Sequence, residues 1–464
     1  MPRTVIYATS DRGTRIRAAF DFLLEAAGVP ARPAIEGEPA DLAHGTASVS
    51  VDGIRIPADE GANSWPALVD GLFTAQDVAD RMPVDLVSLT ANYLDDTVNA
   101  DSSPSSRDVY GRLKASGAHG HQGGQEAVPV VNRAVALVAT LAAERFAVPV
   151  VPAWPGGSVA AVALSHDVDM PERYALLRAV ARPWRLRRAP RSLSQAALRL
   201  ARERWSDPAP DDHWAFDELL AMEAAAGVRS TFLFSTTPFH ADGGSTLDPA
   251  YEANGQRYRQ LYRTLIAGGW EIGLHGSYFA YRVPGRLAME RRRLERIAGV
   301  EVRGHRHHYW QLGPDPAATL LEHESAGFAY DASLAFNDAP GYRRGVAFPF
   351  RPFDRRLDRT IATLQLPTTL MDGNLMYRSM TPQDAASAAI AHVAAIRSLG
   401  GLAVIDWHSH TAVPSNRRFR DWGLAYELLL EWLASQPSLW ITTLGEVADW
   451  WDRRSADIRG AAST

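Results

Sequence analysis

Residues 162–170 read VALSHDVDM, an apolar run that ends in a histidine and two aspartates, Asp167 and Asp169. Residues two apart on an extended chain point the same way. The two carboxylates therefore share a direction, as do Arg306 with His308, and Asp406 with His408 and His410. Carboxylates held together repel, and one pKa rises unless a cation separates them. A divalent metal on one and an arginine on the other would resolve the conflict, making one a ligand and leaving its neighbour as a base for water. A helix N-cap beside a solvated acid is the competing reading.

His275, in GWEIGLHGSY, gains meaning from this company. Imidazole with carboxylate suits zinc or a similar first-row metal, with cobalt, nickel or iron as alternatives, and three protein ligands with an open position is the catalytic arrangement. Alone, His275 reads as a hydrogen-bonded structural residue. The segment RGHRHHYW, 303–310, holds three histidines and two arginines, which cannot all be ligands. Alternation makes His308 the inward candidate beside Arg306 and puts His305 and His307 on the other face, in supporting or surface roles. Tyr309, Trp310 and Trp407 offer flat apolar surface suited to sugar rings, unless they are core.

These residues need elements to position them. Apolar runs at 159–165, 230–235, 270–274, 300–304, 328–330, 361–366, 401–406 and 438–441 alternate with helical patterns, several closed by a glycine: Gly227, Gly268, Gly299, Gly327 and Gly400. Thr381 followed by Pro382 reads as a helix start. Strand, helix, glycine, strand implies parallel strands with crossover helices, hence a (β/α) barrel or, failing that, an open doubly wound sheet. In a barrel, the strand ends carrying Asp167 and Asp169, His275, Arg306 and His308, Asp331, Asp372 with Asn374, and His408 with His410 converge on one rim.

With 464 residues the chain is expected to hold two domains: a small α/β unit of unknown role over 1–150 and the barrel over 155–455, divided at the proline- and glycine-rich VPVVPAWPGG. In the first unit IRAAFDFLLEAAG reads as an amphipathic helix, Asp52-Gly53 in ASVSVDGIRIP as a hairpin turn, and DDTVNADSSPSSRD as an exposed loop. The absence of cysteine excludes disulfides, thiolate metal sites and cysteine nucleophiles, and with Lys114 the sole lysine, Schiff-base chemistry is disfavoured. Net charge of -5 gives no reason to expect nucleic acid. No apolar stretch reaches membrane-spanning length and the N-terminus lacks a secretion-signal core, so a soluble, cytoplasmic protein is expected; oligomeric state is left open. The basic stretch 178–204 reads as a solvated arginine-rich helix, or alternatively as a lid or contact for an anionic polymer or lipid.

Taken in order, LSHDVD, EIGLHGSY, GHRHHYW, FAYDASLAFNDAPGYRRG and IDWHSH resemble the polysaccharide deacetylase superfamily with its NodB homology domain, in a branch with an N-terminal domain of unknown function. The resemblance spans roughly 155–450. It implies a distorted (β/α)7 barrel and metal-dependent removal of an N- or O-acetyl group from a carbohydrate or glycoconjugate. By position, Asp167 matches the general base, Asp169 and His275 metal ligands, Arg306 the arginine that orients the base and His408 the general acid, with Asp331 where the family often has an acid near that histidine. One departure matters: the family's second histidine ligand, four positions after His275, is here Phe279. His308 is the expected replacement. The alternatives are a carbohydrate-binding pseudoenzyme and an amidohydrolase acting on a small non-sugar amide.

Overall fold

A computed structural model describes residues 4–10, 13–35, 38–45, 51–58, 78, 81–100, 102–118, 128–180, 191–206, 211–238, 241, 244–378 and 380–463. Its first sheet is parallel, in the order β2-β1-β3-β4, from β1 (Val5–Thr9), β2 (Ala31–Pro33), β3 (Ala40–His44) and β4 (Val51–Ile56). Helix Thr14–Ala26 follows β1 and buries Ile16, Phe20, Leu23 and Leu24, the spacing of one helical face.

Asp52-Gly53 is not a hairpin turn: both residues lie inside β4. The stretch before Val51 lies outside the described residues. Ala40 faces Val51 while Leu42 faces Ile54, so Asp52 and Gly53 together oppose Asp41 as a bulge. A Cβ on Gly53 would sit 2.0 Å from the Asp41 carbonyl oxygen, so close strand approach is what demands glycine here. Tight turns and bulges ask for the same residue, hence the misreading. The central part of the basic stretch, 181–190, is likewise outside the described residues; Arg191–Ser206 is a helix.

The second sheet holds β5 (Ala160–Val168), β6 (Thr231–Phe234), β7 (Glu271–Gly276), β8 (Gly304–His307), β9 (Tyr330–Asp331), β12 (Leu364–Gln365), β13 (Thr368–Met371), β14 (Leu402–Asp406) and β15 (Leu439–Thr442). Between β9 and β12 a small antiparallel pair intervenes, β10 (Phe353–Asp354) and β11 (Arg359–Thr360). All strands of the large sheet are parallel, in the order β12-β9-β8-β7-β6-β5-β14-β13, and β15 pairs with the first half of β5. Its edge strands β12 and β13 are separated in the chain only by Leu366 and Pro367, so the sheet must curl until its edges nearly meet. The result is a distorted (β/α) barrel. Two strands depart from expectation: β8 begins where the apolar run 300–304 ends, and β13 lies beyond Pro367.

Alternation sorts each strand into two layers. Ala161, Ala163, Leu233, Tyr330, Leu402 and Val404 point inward and share one apolar cluster with Phe20, Leu23, Val131, Trp154 and Trp451. The N-terminal unit and the C-terminal helix Leu444–Ser463 thus plug the barrel end away from the polar strand ends. Arg454 on that helix ties them together, its guanidinium donating to the carbonyls of Glu25, Ala26, Val151 and Pro152. The outward layer, including Val162, Leu164, Phe232, Phe234, Ile272 and Ile405, packs under the surrounding helices Phe216–Ala225, Gln256–Gly268, Pro382–Ser398 and Arg420–Ala434. Thr381 caps its helix, accepting from the Asp384 amide at 3.2 Å.

Candidate metal centre and its proton-handling neighbours

Along β5 the residues alternate in purpose. His166 faces outward, fully buried, its Nε2 2.7 Å from Glu223, which also takes bonds from Ser230, Trp270 and Tyr426. That histidine anchors the strand to its helix. Asp167 faces inward and Asp169 follows just past the strand end, giving the pair of acids a common direction.

Three imidazoles converge on Asp169. Nε2 of His275 lies 3.2 Å from Oδ1, and Nε2 of His308 and His408 lie 3.3 Å and 3.5 Å from Oδ2. Each ring is held from behind at Nδ1: His275 by the Arg306 carbonyl at 3.0 Å, His308 by Asp248 at 3.3 Å and His408 by Asp372 at 3.0 Å. Bonding to a carbonyl requires Nδ1 of His275 to carry a proton, and in the neutral ring Nε2 then presents a lone pair to Asp169 and, at 3.6 Å, to Asp167. Lone pairs facing carboxylate oxygens repel unless a cation lies between. Nε2 of His275 and Oδ1 of Asp169 are both buried without a hydrogen-bond partner, and Asp169, His275 and His308 offer ligand atoms within 4.8 Å of one another. This donor set fits a divalent first-row metal.

The charges agree. Burial pushes Asp169 up, but His308 and His275 outweigh it and hold the carboxyl well below its usual range. Burial pushes His308 down, yet Asp169 and Asp248 win and lift it to about 10. A proton on His308 thus supplies the positive charge that a metal would replace. The carboxylate behind this ring fixes its orientation, the usual support for a metal-ligating histidine. Phe279 takes no part: it is half-buried, packed on Tyr278 and under Arg282.

Asp167 sits beside this set. Arg306, fully buried, donates from Nη1 to Asp167 at 2.8 Å and lies 3.2 Å from Asp406, with Nη2 on Ser165 and Thr368. Burial raises the Asp167 pKa, but Arg306 foremost, then His275 and His408, bring it below the normal value. Asp406 is left with the weaker share of the guanidinium: burial first, then the charge of Asp167, push it up to about 7. For His408, burial disfavours the cation while Asp372 leads the effects that raise its pKa well above the ordinary value. Asp372 also accepts from the His408 amide at 3.0 Å and Thr411 Oγ1 at 2.6 Å, which locks that ring. The side chains of Asp169 and His408 are each 20 % exposed, so solvent reaches this centre.

Three expected residues lie elsewhere. Asp331 does not accompany His408. It pairs in register with His305, not Arg306, and so faces the outer layer, bonded to His305 Nδ1 at 2.9 Å. Trp407 follows Asp406 by one residue and points outward too, fully buried against Tyr426; it cannot touch substrate. Trp310 is buried with Ala335 and Met371. Tyr309 alone of the three aromatics borders the site, its ring against His308 and, at 5.1 Å, Tyr110. Tyr309 and Trp310 both hold positive φ, 59° and 49°, a strained pair of the kind that gathers at functional sites. Reading by residue type passed over Asp248 as a support for His308, and it placed Asp406 in line with His408 and Asp372 at a strand end without giving either a role.

No protein-family model and no curated protein matches the chain. Among solved structures, it is similar to a candidate polysaccharide deacetylase from Mycobacterium smegmatis, at 18 % identity over 66 % of this chain and 95 % of that one, with a TM-score of 0.40. Puue allantoinase matches at 16 % identity over 66 % and 94 %, TM-score 0.42. A CE4 family pseudoenzyme from Bacillus anthracis matches at 8 % identity over 62 % and 65 %, TM-score 0.32. Likeness at this level says nothing of what this chain does.

Proposed function

We propose that this chain is a metal-dependent hydrolase of the polysaccharide deacetylase superfamily that removes an N- or O-acetyl group from a carbohydrate. The observation that carries the reading is the grouping of Asp169, His275 and His308 beside the Arg306–Asp167 pair, with His408 across from them on the same rim. Asp169, His275 and His308 would hold the metal, zinc by preference for nitrogen and oxygen donors, and when bound it supplies Lewis acidity to a carbonyl oxygen and acidifies water.

The chain's own groups do the rest. Asp167, kept ionised by Arg306, takes a proton from the attacking water at its Oδ2, the oxygen that Arg306 leaves free. Arg306 acts through Asp167 and is a positioning residue. His408, held protonated and aimed by Asp372, gives its Nε2 proton to the departing amine or alkoxide. A backbone N–H near Tyr309 is the donor proposed for the developing oxyanion. Asp406 and Asp372 take the places expected of Asp331.

A second reading, hydrolysis of a small non-sugar amide, is favoured by the segment that leans over the rim. Arg112 donates to the Tyr309 carbonyl at 2.8 Å, Gln311 donates to the Tyr110 carbonyl at 2.9 Å, and the Tyr110 ring packs on Tyr278 and Tyr309. Trp310 and Trp407, the tryptophans expected to offer a platform for a polymer, are both buried. Acetate release from acetylated glucosamine oligomers of increasing length, set against hydrolysis of a small cyclic amide, separates the two. Asp167→Asn with undiminished metal content and turnover lowered by ~10³-fold supports Asp167 as base; undiminished turnover would remove it from that role.

A further inference from the structure

A second constellation lies on the outer face of β8, unused by the chemistry above. His305 and His307 point the same way from that strand, towards His323 on helix Pro316–Ser325. All three are 0 % exposed. Their rings lie against one another, with centroids 4.6 Å apart for His305–His307, 4.7 Å for His305–His323 and 5.1 Å for His307–His323.

Five of their six ring nitrogens are buried without a hydrogen-bond partner: Nε2 of His305 and both nitrogens of His307 and of His323. Buried polar atoms in native proteins are overwhelmingly paired, so five orphans at one point call for a missing partner. The Ser277 backbone is near His307, yet no nitrogen of that ring makes a bond to it. The sixth nitrogen, Nδ1 of His305, is held by Asp331 at 2.9 Å, with Ser333 Oγ donating to the same carboxylate. Among the described residues, the Asp331 side chain, itself 0 % exposed, meets only His305, Ser333 and, at 3.6 Å, His323. A buried carboxylate needs positive charge. Imidazole nitrogens without hydrogen-bond partners beside a buried carboxylate are a donor set that suits a divalent cation.

We propose that His305, His307 and His323 bind a second divalent transition metal, with Asp331 orienting His305 and balancing the charge. The three offer ligand nitrogens within 4.8 Å of one another. Tetrahedral zinc with nitrogens at ~2.0–2.1 Å spaces them by ~3.3 Å, so the nitrogens close by at most ~1.5 Å on binding, and the rings of His307 and His323 lose no hydrogen bond in turning. The site is sealed from solvent, joins β8 to its crossover helix, and takes no part in turnover, which makes it a structural metal acquired during folding.

The test is metal content of the untagged full-length chain, with the rim centre disabled by Asp169→Asn and His275→Asn together. Wild type is expected to carry two equivalents and the double variant one, and zinc-edge X-ray absorption of the double variant should show a shell of three imidazoles. Adding His323→Gln should remove that equivalent. Should the triple variant fail to fold, the absorption spectrum of the double variant still decides. A folded double variant without metal, or with metal in an oxygen-dominated or single-imidazole shell, overturns the proposal. A wild type with only the imidazole-rich equivalent would instead sink the rim centre and leave this site standing.

Discussion

Replacing Asp372 by asparagine tests the assignment of His408 most sharply. Asp372 contributes a charge to Nδ1 of His408 and accepts from that residue's amide and from Thr411. Asparagine keeps an acceptor but loses the charge. At ~4 Å between charge centres and an effective dielectric constant of ~20, one carboxylate favours the imidazolium by ~4 kcal/mol. His408 donates only while protonated, so activity is lost as pH rises through its pKa. Asp372 raises that pKa, which places the alkaline limb of the native enzyme well above the ordinary histidine value. In the variant the limb should move to lower pH. Acetate release followed from pH 5 to 10 should then show kcat at pH 9 reduced by ~10²–10⁴-fold, the range that a general acid supplies, with a much smaller deficit at pH 6 and little change in KM. An alkaline limb in its native position, with the variant equally impaired at every pH, would mean that Asp372 is mere scaffolding and that another group protonates the leaving atom.

Other expectations follow from neighbouring residues. Asp248→Asn, which weakens the hold on His308, should lower metal affinity at the rim by ~10–100-fold, read by chelator competition, while leaving the fold intact. Asp406→Asn should change how stability depends on pH: with its pKa pushed up from 3.8 to about 7, the native state keeps a proton that the unfolded chain has lost, so Asp406 costs stability progressively as pH rises from 4 to 7. The asparagine should gain ~2–4 kcal/mol on wild type between pH 4 and pH 8 in urea titrations; an identical difference at both ends would show that Asp406 ionises normally. Trp407→Leu should lose ~3 kcal/mol of stability from a cavity under helix Arg420–Ala434, yet leave KM within about twofold; a large rise in KM would return that ring to the substrate.

How much of this was legible in the sequence depends on how far one strand's pleat reaches. Asp167, Arg306 and His275 could be placed because each sits within or at the end of a strand whose alternation sets its direction, and three such directions crossing on one rim is a barrel's geometry. The same rule applied across strands would have removed Asp331, but its direction depends on the register between β8 and β9, where His305 faces Asp331, and register is a property of the pair. Asp372 was placed at a strand end but given no role for a related reason: the apolar run 361–366 covers only β12, whereas Leu366 and Pro367 link the sheet's two edges and β13 starts at the next residue. Asp248 lies in a connection with no periodicity at all, placed by its bonds to the amides of Ser245 and Tyr278.

Strand alternation also makes the two histidine groups depend on each other. Because β8 sends Arg306 inward and His305 and His307 outward, one short strand braces Asp167 and carries two of the ligands proposed for the outer site. Gly276 of β7 sharpens the dependence, since a Cβ there would come within 2.4 Å of His305 Nε2, leaving that ring room only as it now stands. His275, one residue earlier, donates from Nδ1 to the carbonyl of Arg306 on β8. A shift of β8 by a few tenths of an ångström would therefore move the partner of Asp167, the support of His275 and the outer imidazoles together. Metal at the outer group should steady all three, and its removal by chelation from otherwise folded protein should loosen metal at the rim without any ligand of the rim being changed.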